Sequence, residues 1–417
     1  MTQKFTIGNF NVRNLTPGST SKRYNYFYSS SKHNQYWAEG DKTENRYEKK
    51  IRWLARQVDR MDADIICFQE IFDREPLQEV INASRLAGKV DLYFSGEPRF
   101  RESSYKGTPS RIYSAPMIAI MVPKDFKMLE FSSLEDFPKE FNFSDPVKEH
   151  SGKTWKIGLT ESGETRTRFT RPILRARLGL PKRFQYAEMD GGNAAEITVF
   201  TAHFKSKRPI RQDSEGNDPL EAMTNYLREG AIGRARSLLL RGLEAAALRT
   251  YVLNELSTDP HRPVIVIGDL NDGPRSESTE IAGGLTLPVI SPDAERNFKK
   301  REQMYEHAAD LCLYSAYHLQ TQRTHRDVYY THIFDGFHDV LDHVLVSSHF
   351  VAHFARDGRG RRSIGKVGTL RVFNDHLINA DIDDITSKSV GKYLHTRSDH
   401  GQVTLRLDWY EKKRTHT

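Results

Sequence analysis

Cysteine and long apolar runs are scarce in this 417-residue sequence. Its only cysteines, Cys67 and Cys312, are too few for a disulfide framework or a thiolate metal site, so we expect a reducing, cytoplasmic environment. No long uncharged apolar run occurs, and strand-like sequence begins at Phe5, so we expect neither a membrane span nor a cleaved signal peptide. The absence of internal repeats and linker-like tracts favours a single soluble domain.

The composition is that of a large, mildly basic globular protein. A hydrophobic content of 37% can bury a large core, and apolar stripes predict amphipathic helices at residues 47–61 and 234–256. One domain spanning residues 1–417 would carry long insertions at about residues 14–45, 124–168, 207–232, 275–331 and 351–392. The net charge of +7 favours a polyanionic partner, although a solubilising surface has the same composition.

The clearest single pattern is PVIVIGDLND at residues 263–272. The β-branched run at residues 264–267 predicts a strand that is buried on both faces and ends at Gly268. Asp269 and Asn271 follow with alternate spacing, so both can point to one side of the sheet edge. A carboxylate and an amide in this position suit a phosphate and a metal ion, but an ordinary strand-to-turn exit explains them equally well.

Polar side chains recur at the ends of other predicted apolar strands. They are Asn11 at the end of a strand at residues 5–12, Glu70 after a strand at 64–68, and His203 and Lys205 after a strand at 197–202. Each has an ordinary interpretation as a turn, solvated or structural residue. Alternatively, amide and carboxylate oxygens ligate hard cations, and a histidine followed by positive charge can contact phosphate.

Two of the Asp-His pairs in the C-terminal half accompany predicted strands. In VLDHVLV, Asp342 and His343 interrupt an apolar strand and must face opposite sides, so we predict that only Asp342 reaches a shared site. SDH at residues 398–400 precedes a last strand of alternating apolar residues. Arg171 stands beside an arginine-bearing strand and adds positive charge to the set of candidate residues.

Together these segments resemble the endonuclease/exonuclease/phosphatase superfamily of DNase I-like, metal-dependent phosphoesterases. The matching segments, in order, are FNV, QE, the strand ending in His203, GDLND, LDHVLV and SDH. THIFDG at residues 331–336 followed by LDH is similar to bacterial nuclease-like members. The resemblance implies an α/β (α+β) fold, a four-layer sandwich of two packed mixed β-sheets flanked by helices, with the site where the loops converge.

By position, the resemblance implies a Mg²⁺ or Mn²⁺ site. Asn11 and Glu70 match metal ligands, with Asp399 close by, and all three offer oxygen donors. A hydrolytic centre would lie beside them, formed by Asp269, Asn271, Asp342, His400 and His203.

Each member of that centre has an implied role. Asp269 and Asn271 match the pair that positions water and the scissile phosphate, and His400 matches a histidine oriented by Asp342. His203 matches the residue that contacts phosphoryl oxygens or helps the leaving group. Whether His400 or Asp269 takes the proton from water stays open.

The leading hypothesis is a divalent-metal phosphodiesterase acting on nucleic acid, DNA more readily than RNA. Arg171, Lys205 and the basic run at residues 356–366 favour this substrate. One alternative is a phosphatase or phosphodiesterase for a small or lipid-linked phosphate. Another is a catalytically inactive polyanion-binding module, which would be expected to have lost some of the matched ligands, whereas none is missing.

Overall fold

Two six-stranded mixed sheets organise the computed structural model. The structure describes residues 2–17, 46–105, 108–141, 147–148, 154–155, 167–184, 196–211, 218–284, 298–322, 324, 329–334, 337–351, 363–377 and 397–410. The first sheet has the order β17 (Gly365–Phe373), β18 (Gln402–Tyr410), β1 (Thr2–Leu15), β2 (Ile65–Ile71), β6 (Met117–Pro123) and β3 (Val90–Phe94). The second has the order β13 (Leu313–Ser315), β16 (Asp342–Ser347), β12 (Val264–Asp269), β11 (Glu196–His203), β10 (Arg168–Gly179) and β7 (Lys127–Asp136).

Each sheet contains one parallel pair, β1 with β2 and β11 with β12, and its other pairs are antiparallel. The part of the chain that the structure describes also has three two-stranded ribbons: β4 (Arg99–Tyr105) with β5 (Thr108–Ala115), β8 (Val147–Lys148) with β9 (Thr154–Trp155), and β14 (His332–Phe334) with β15 (Phe337–Asp339). In the described ranges the helices are α1 (Arg46–Met61), α2 (Arg74–Asn82), α3 (Pro219–Thr258), α4 (Glu277–Gly283), α5 (Phe298–Leu311) and α6 (Ala316–Thr321). Within the described ranges, no helix is both long enough and apolar enough to cross a bilayer.

Burial on both faces explains the apolar runs. In β12, Ile265 and Ile267 pack into the core between the sheets, while Val264 and Val266 belong to the cluster formed with α3. The strand β2 divides its side chains in the same way, between the central core and a cluster formed with α1 and α2. The resulting layers confirm the predicted sandwich of two sheets flanked by helices.

Three of the segments that were predicted as insertions contain strands of the main sheets. β7 lies in residues 124–168, β13 in residues 275–331 and β17 in residues 351–392. All three are edge strands. β7 and β17 contain exposed and half-buried residues, and β13 has only three residues. An edge strand needs no continuous apolar run, which is why the hydrophobic pattern did not reveal them. Most of the first predicted insertion, residues 18–45, lies outside the described residues.

The long helix α3 also begins earlier than predicted, within the supposed insertion at residues 207–232. The Asp218 carboxylate accepts hydrogen bonds from the amides of Leu220 and Glu221, and Pro219 occupies the first turn, so the start has ordinary capping. Leu220 and Leu227 are 81% and 64% exposed. The front half therefore has no apolar stripe facing the core, and the sequence periodicity indicated only the buried half.

Gly268 does not end the central strand, as the sequence had suggested, but lies within β12. Its φ is +154°, and a Cβ atom there would lie 1.9 Å from the Ala202 carbonyl oxygen of β11. Glycine is required because the neighbouring backbone occupies the space of any side chain.

We expect Gly268→Ala to lower the free energy of unfolding by roughly 3 kcal/mol or more, since backbone strain and overpacking each cost about 1–3 kcal/mol. Chemical denaturation would measure the change. Gly242→Ala, in the helix α3 where a Cβ meets nothing within 4 Å, is the matched control and should raise stability by up to about 1 kcal/mol. Equal stability of the two variants would contradict the close approach at Gly268.

Candidate active site

Asp269 is the centre of a buried polar cluster at the end of β12. Its Oδ2 atom accepts a hydrogen bond from Asn11 Nδ2 at 3.1 Å and lies 3.5 Å from His203 Nε2 and 3.8 Å from His400 Nε2. Its Oδ1 atom accepts from the backbone amide of Asn271 at 2.9 Å. The parallel register of β11 and β12 sets His203 opposite Asp269, so strand pairing itself positions the imidazole.

A second carboxylate orients His400. The Nδ1 atom of His400 donates to Asp342 Oδ2 at 2.8 Å, and Asn9 Nδ2 donates to Asp342 Oδ1 at 2.8 Å. Gln69 Nε2 in turn donates to Asn9 Oδ1 at 2.7 Å. Both Asp342 oxygens are thereby occupied, and His343 on the opposite face contacts a backbone carbonyl beyond β12. His400 is held with its Nε2 atom directed toward Asp269.

Backbone strain is concentrated at this site. Arg13, Asn14, Glu70 and Asn271 have φ values of 50°, 47°, 62° and 55°, and only one other described non-glycine residue has a positive φ. The Glu70 carboxylate accepts from the Asn14 amide at 2.9 Å and from Asn11 Nδ2 at 3.3 Å. Left-handed conformations of non-glycine residues are costly and tend to mark functional sites.

The oxygen donors around Asn11 fit a hard divalent cation. The carboxylates of Glu70 and Asp269 both converge on the Asn11 carboxamide, which can present its oxygen instead of its nitrogen after rotation. Carboxylate and amide oxygens are the donors that Mg²⁺ prefers. Asp399 lies nearer the surface and pairs with Arg13 Nε at 3.3 Å. Its predicted part in metal binding stays a prediction.

A tighter group consists of Asp269, Asp342 and His400, whose potential ligand atoms lie within 4.8 Å of one another. Because both oxygens of Asp342 already accept hydrogen bonds, this group is better suited to proton transfer than to holding an ion.

The two histidines have opposite charge preferences. Burial lowers the pKa of His400, but the Asp342 and Asp269 carboxylates outweigh it and hold that pKa well above its ordinary value. Burial, together with the charges of Arg171 and His400, holds the pKa of His203 well below its ordinary value. Burial also raises the pKa of Asp269 to about 7. The site therefore combines a cationic His400 with a neutral His203 beside a carboxylate that can exchange a proton near neutral pH.

The predicted substrate contacts are engaged elsewhere. Arg171 Nη1 donates to the Phe204 carbonyl at 2.8 Å, and Asn271 Nδ2 donates to the same carbonyl at 3.0 Å. Lys205 Nζ donates to the Arg208 carbonyl at 3.0 Å. These contacts fix the loop that follows His203. Binding of substrate by Arg171 and Lys205 stays a prediction, and a positioning role is the one their geometry favours.

Sequence reasoning missed several supporting residues. Ser398 Oγ donates to the Asn11 carbonyl at 2.6 Å and accepts from the His400 amide at 3.0 Å, which joins the SDH segment to β1. Lys50 is buried and donates to the Arg13 carbonyl, and its burial lowers its pKa to about 7. Asn9 lies two residues before Asn11, on the same face of β1, and that alternation was a usable signal.

We expect Asp342→Asn to lower the pKa of His400, because the neutral amide removes a charge that stabilises imidazolium while burial still opposes it. NMR titration of the His400 imidazole in metal-free protein would measure the shift. Asp136→Asn, at a carboxylate 70% exposed, is the control and should leave the titration unchanged. An unchanged pKa in Asp342→Asn would contradict the charge pairing.

Comparison with known proteins sets this geometry in context. Solved structures to which this chain is similar include an endonuclease/exonuclease/phosphatase family protein from Bacteroides thetaiotaomicron, at 15% identity and TM-score 0.46, covering 98% of this chain and 96% of that one. A humanized D. rerio TDP2 has 13% identity and TM-score 0.46, covering 97% and 99%. A Bacteroides thetaiotaomicron mannosyl-6-phosphatase has 14% identity and TM-score 0.41, covering 97% and 100%. A search of curated proteins gave no match.

The sequence model described as the Endonuclease/Exonuclease/phosphatase family matches residues 9–400. This range begins and ends on members of the cluster, Asn9 and His400. The chain therefore belongs to the Endonuclease/Exonuclease/phosphatase family, whose members are divalent-metal-dependent phosphoester hydrolases.

Proposed function

We propose that this chain is a divalent-metal-dependent phosphodiesterase that hydrolyses nucleic acid. The observation that carries the proposal is the His400 imidazole, held through Nδ1 by Asp342 and facing Asp269 across 3.8 Å. That separation is too long for a direct hydrogen bond but leaves a proton donor and an acceptor facing each other. The two groups could together position a water or a phosphate oxygen that lies near both. His400 could donate a proton to it, and Asp269 could accept one from it.

Glu70 and Asn11, with Asp399 at the rim, would hold Mg²⁺ or Mn²⁺, which when bound offsets negative charge developing on the phosphate. Asp269 and Asn271 would position the attacking water and the phosphate. The neutral His203 can donate a hydrogen bond from Nε2 to a phosphoryl oxygen or to the leaving group. Because His400 is cationic, the Asp269 carboxylate is the group that would take the proton of the attacking water.

Surface charge supports nucleic acid as the substrate. The net charge is +7, and the loop after His203 exposes Lys207, Arg208 and Arg211. Lys207 is 47% exposed and lies 3.9 Å from Asp272, only three residues beyond Asp269. Basic side chains beside a phosphate site can bind a neighbouring phosphate of a polymer. A phosphomonoester has only one phosphate, so these side chains would have no second phosphate to bind.

The test is turnover of single-stranded DNA, duplex DNA and RNA against a panel of phosphomonoesters, with Mg²⁺ and Mn²⁺. We expect a nucleic acid to have the highest kcat/KM, and His400→Ala to lower kcat by about 10²–10⁴ because it removes a positioned proton donor. His261→Ala, at an exposed histidine, is the control and should retain full activity. Faster turnover of a monoester than of any nucleic acid would overturn the substrate class, and an active His400→Ala would overturn the centre.

Metal binding has a readout independent of activity. We expect Mg²⁺ or Mn²⁺ to raise the Tm of the wild type, since an ion bound only by the folded state stabilises it by about 3 kcal/mol at a hundredfold excess over Kd. Glu70→Gln should lose this shift because it removes the charged ligand. Glu97→Gln, at a carboxylate 77% exposed, should keep it. A normal shift in Glu70→Gln would exclude Glu70 from the ion site.

A further inference from the structure

The ribbon of β14 and β15 exposes two phenylalanines beside the candidate site. Phe334 and Phe337 are 70% and 72% exposed. They lie directly opposite each other in the antiparallel register, and His332 lies opposite Asp339 in the same ladder. Opposite residues share a face, and so do alternate residues of one strand. His332, Phe334, Phe337 and Asp339 therefore lie on one face of the ribbon.

This aromatic face is continuous with the hydrolytic centre. His332 forms an antiparallel bridge with His400, and the Gly401 amide donates to the Thr331 carbonyl at 2.7 Å. The ring centroids of His332 and His400 are 4.9 Å apart. The Phe334 ring is nearly parallel to that of His332, at 15°, with centroids 6.4 Å apart. A row of rings thus runs from the imidazole of the centre to the exposed end of the ribbon.

We propose that Phe334 and Phe337 form a stacking platform for the bases of a single-stranded nucleic acid whose phosphate lies at the His400 centre. The inference rests on the proposed function and names its substrate class more narrowly. A nucleotide next to the bound phosphate carries its base within reach of the ribbon, and exposed aromatic faces bind bases by stacking. Duplex bases are already stacked on one another, so a platform of this kind selects unpaired strands.

The surroundings of the ribbon favour a nucleic acid over a lipid bilayer. Asp339 lies on the same face, and Lys207 Nζ is 3.5 Å from its carboxylate. The apolar area is two side chains wide and is bounded by these charges. Insertion into a bilayer requires a broad apolar surface, whereas a base needs one ring face beside a cation for its phosphate.

The experiment compares a single-stranded DNA oligomer with a base-free deoxyribose-phosphate oligomer of the same length. We expect Phe334→Ala/Phe337→Ala to raise KM for the DNA between about 5-fold and about 100-fold, which corresponds to loss of stacking on one base. On the base-free oligomer the variant should match the wild type, because that substrate has nothing to stack. Phe334→Leu/Phe337→Leu, which keeps apolar side chains without ring faces, should also raise KM for the DNA.

Leu220→Ala/Leu227→Ala removes exposed apolar surface elsewhere and serves as the control, with KM unchanged on both oligomers. Equal KM for the DNA in the wild type and in Phe334→Ala/Phe337→Ala overturns the platform. A variant that loses binding to phosphatidylglycerol vesicles but keeps the wild-type KM for DNA also overturns it. A wild type that cleaves neither oligomer overturns the proposed function. In that case, fluorescence anisotropy with the same two oligomers in EDTA still tests stacking, since a ring-dependent Kd for DNA alone supports it and a ring-independent Kd overturns it.

Discussion

The surrounding structure has to stabilise the buried carboxylate of Asp269. A side chain only 1% exposed loses its hydration, so hydrogen-bond donors and positive charge must replace water. Asn11 comes from the first sheet, His203 from the second, and His400 from the segment that leads into β18. The packing of one sheet on the other thus brings the chemistry together, and the central apolar core carries that packing.

Much of this site was predictable, because a strand buried on both faces is a continuous apolar run and the polar residue after it is conspicuous. Asp269, Glu70 and His203 were found in that way, and Asp342 by the alternation of strand faces. Asn9 was missed although it alternates with Asn11 in β1, because its partner Asp342 is 333 residues away and the local sequence does not show that pairing.

The edge strands and the basic residues mark where sequence reasoning stops. β7 and β17 are half-exposed, so packing places little constraint on their outer residues and their periodicity fades. Arg171 was predicted to bind substrate, yet its guanidinium donates a hydrogen bond to a backbone carbonyl. The residue type determines the charge of a side chain. The direction in which the side chain points depends on tertiary neighbours that the local sequence does not encode. Gly268 shows the same limit, because the carbonyl group that excludes a side chain there belongs to Ala202 of β11, 66 positions earlier.

Because the left-handed backbone at Glu70 and Asn271 is fixed during folding, the groups that we propose to bind the ion and the phosphate are already arranged before either arrives. A segment already held in an uncommon conformation has little freedom left to lose, so the proposed cation or phosphate would meet a preformed site. Selectivity would then depend on whether the size and reach of the incoming group match that site.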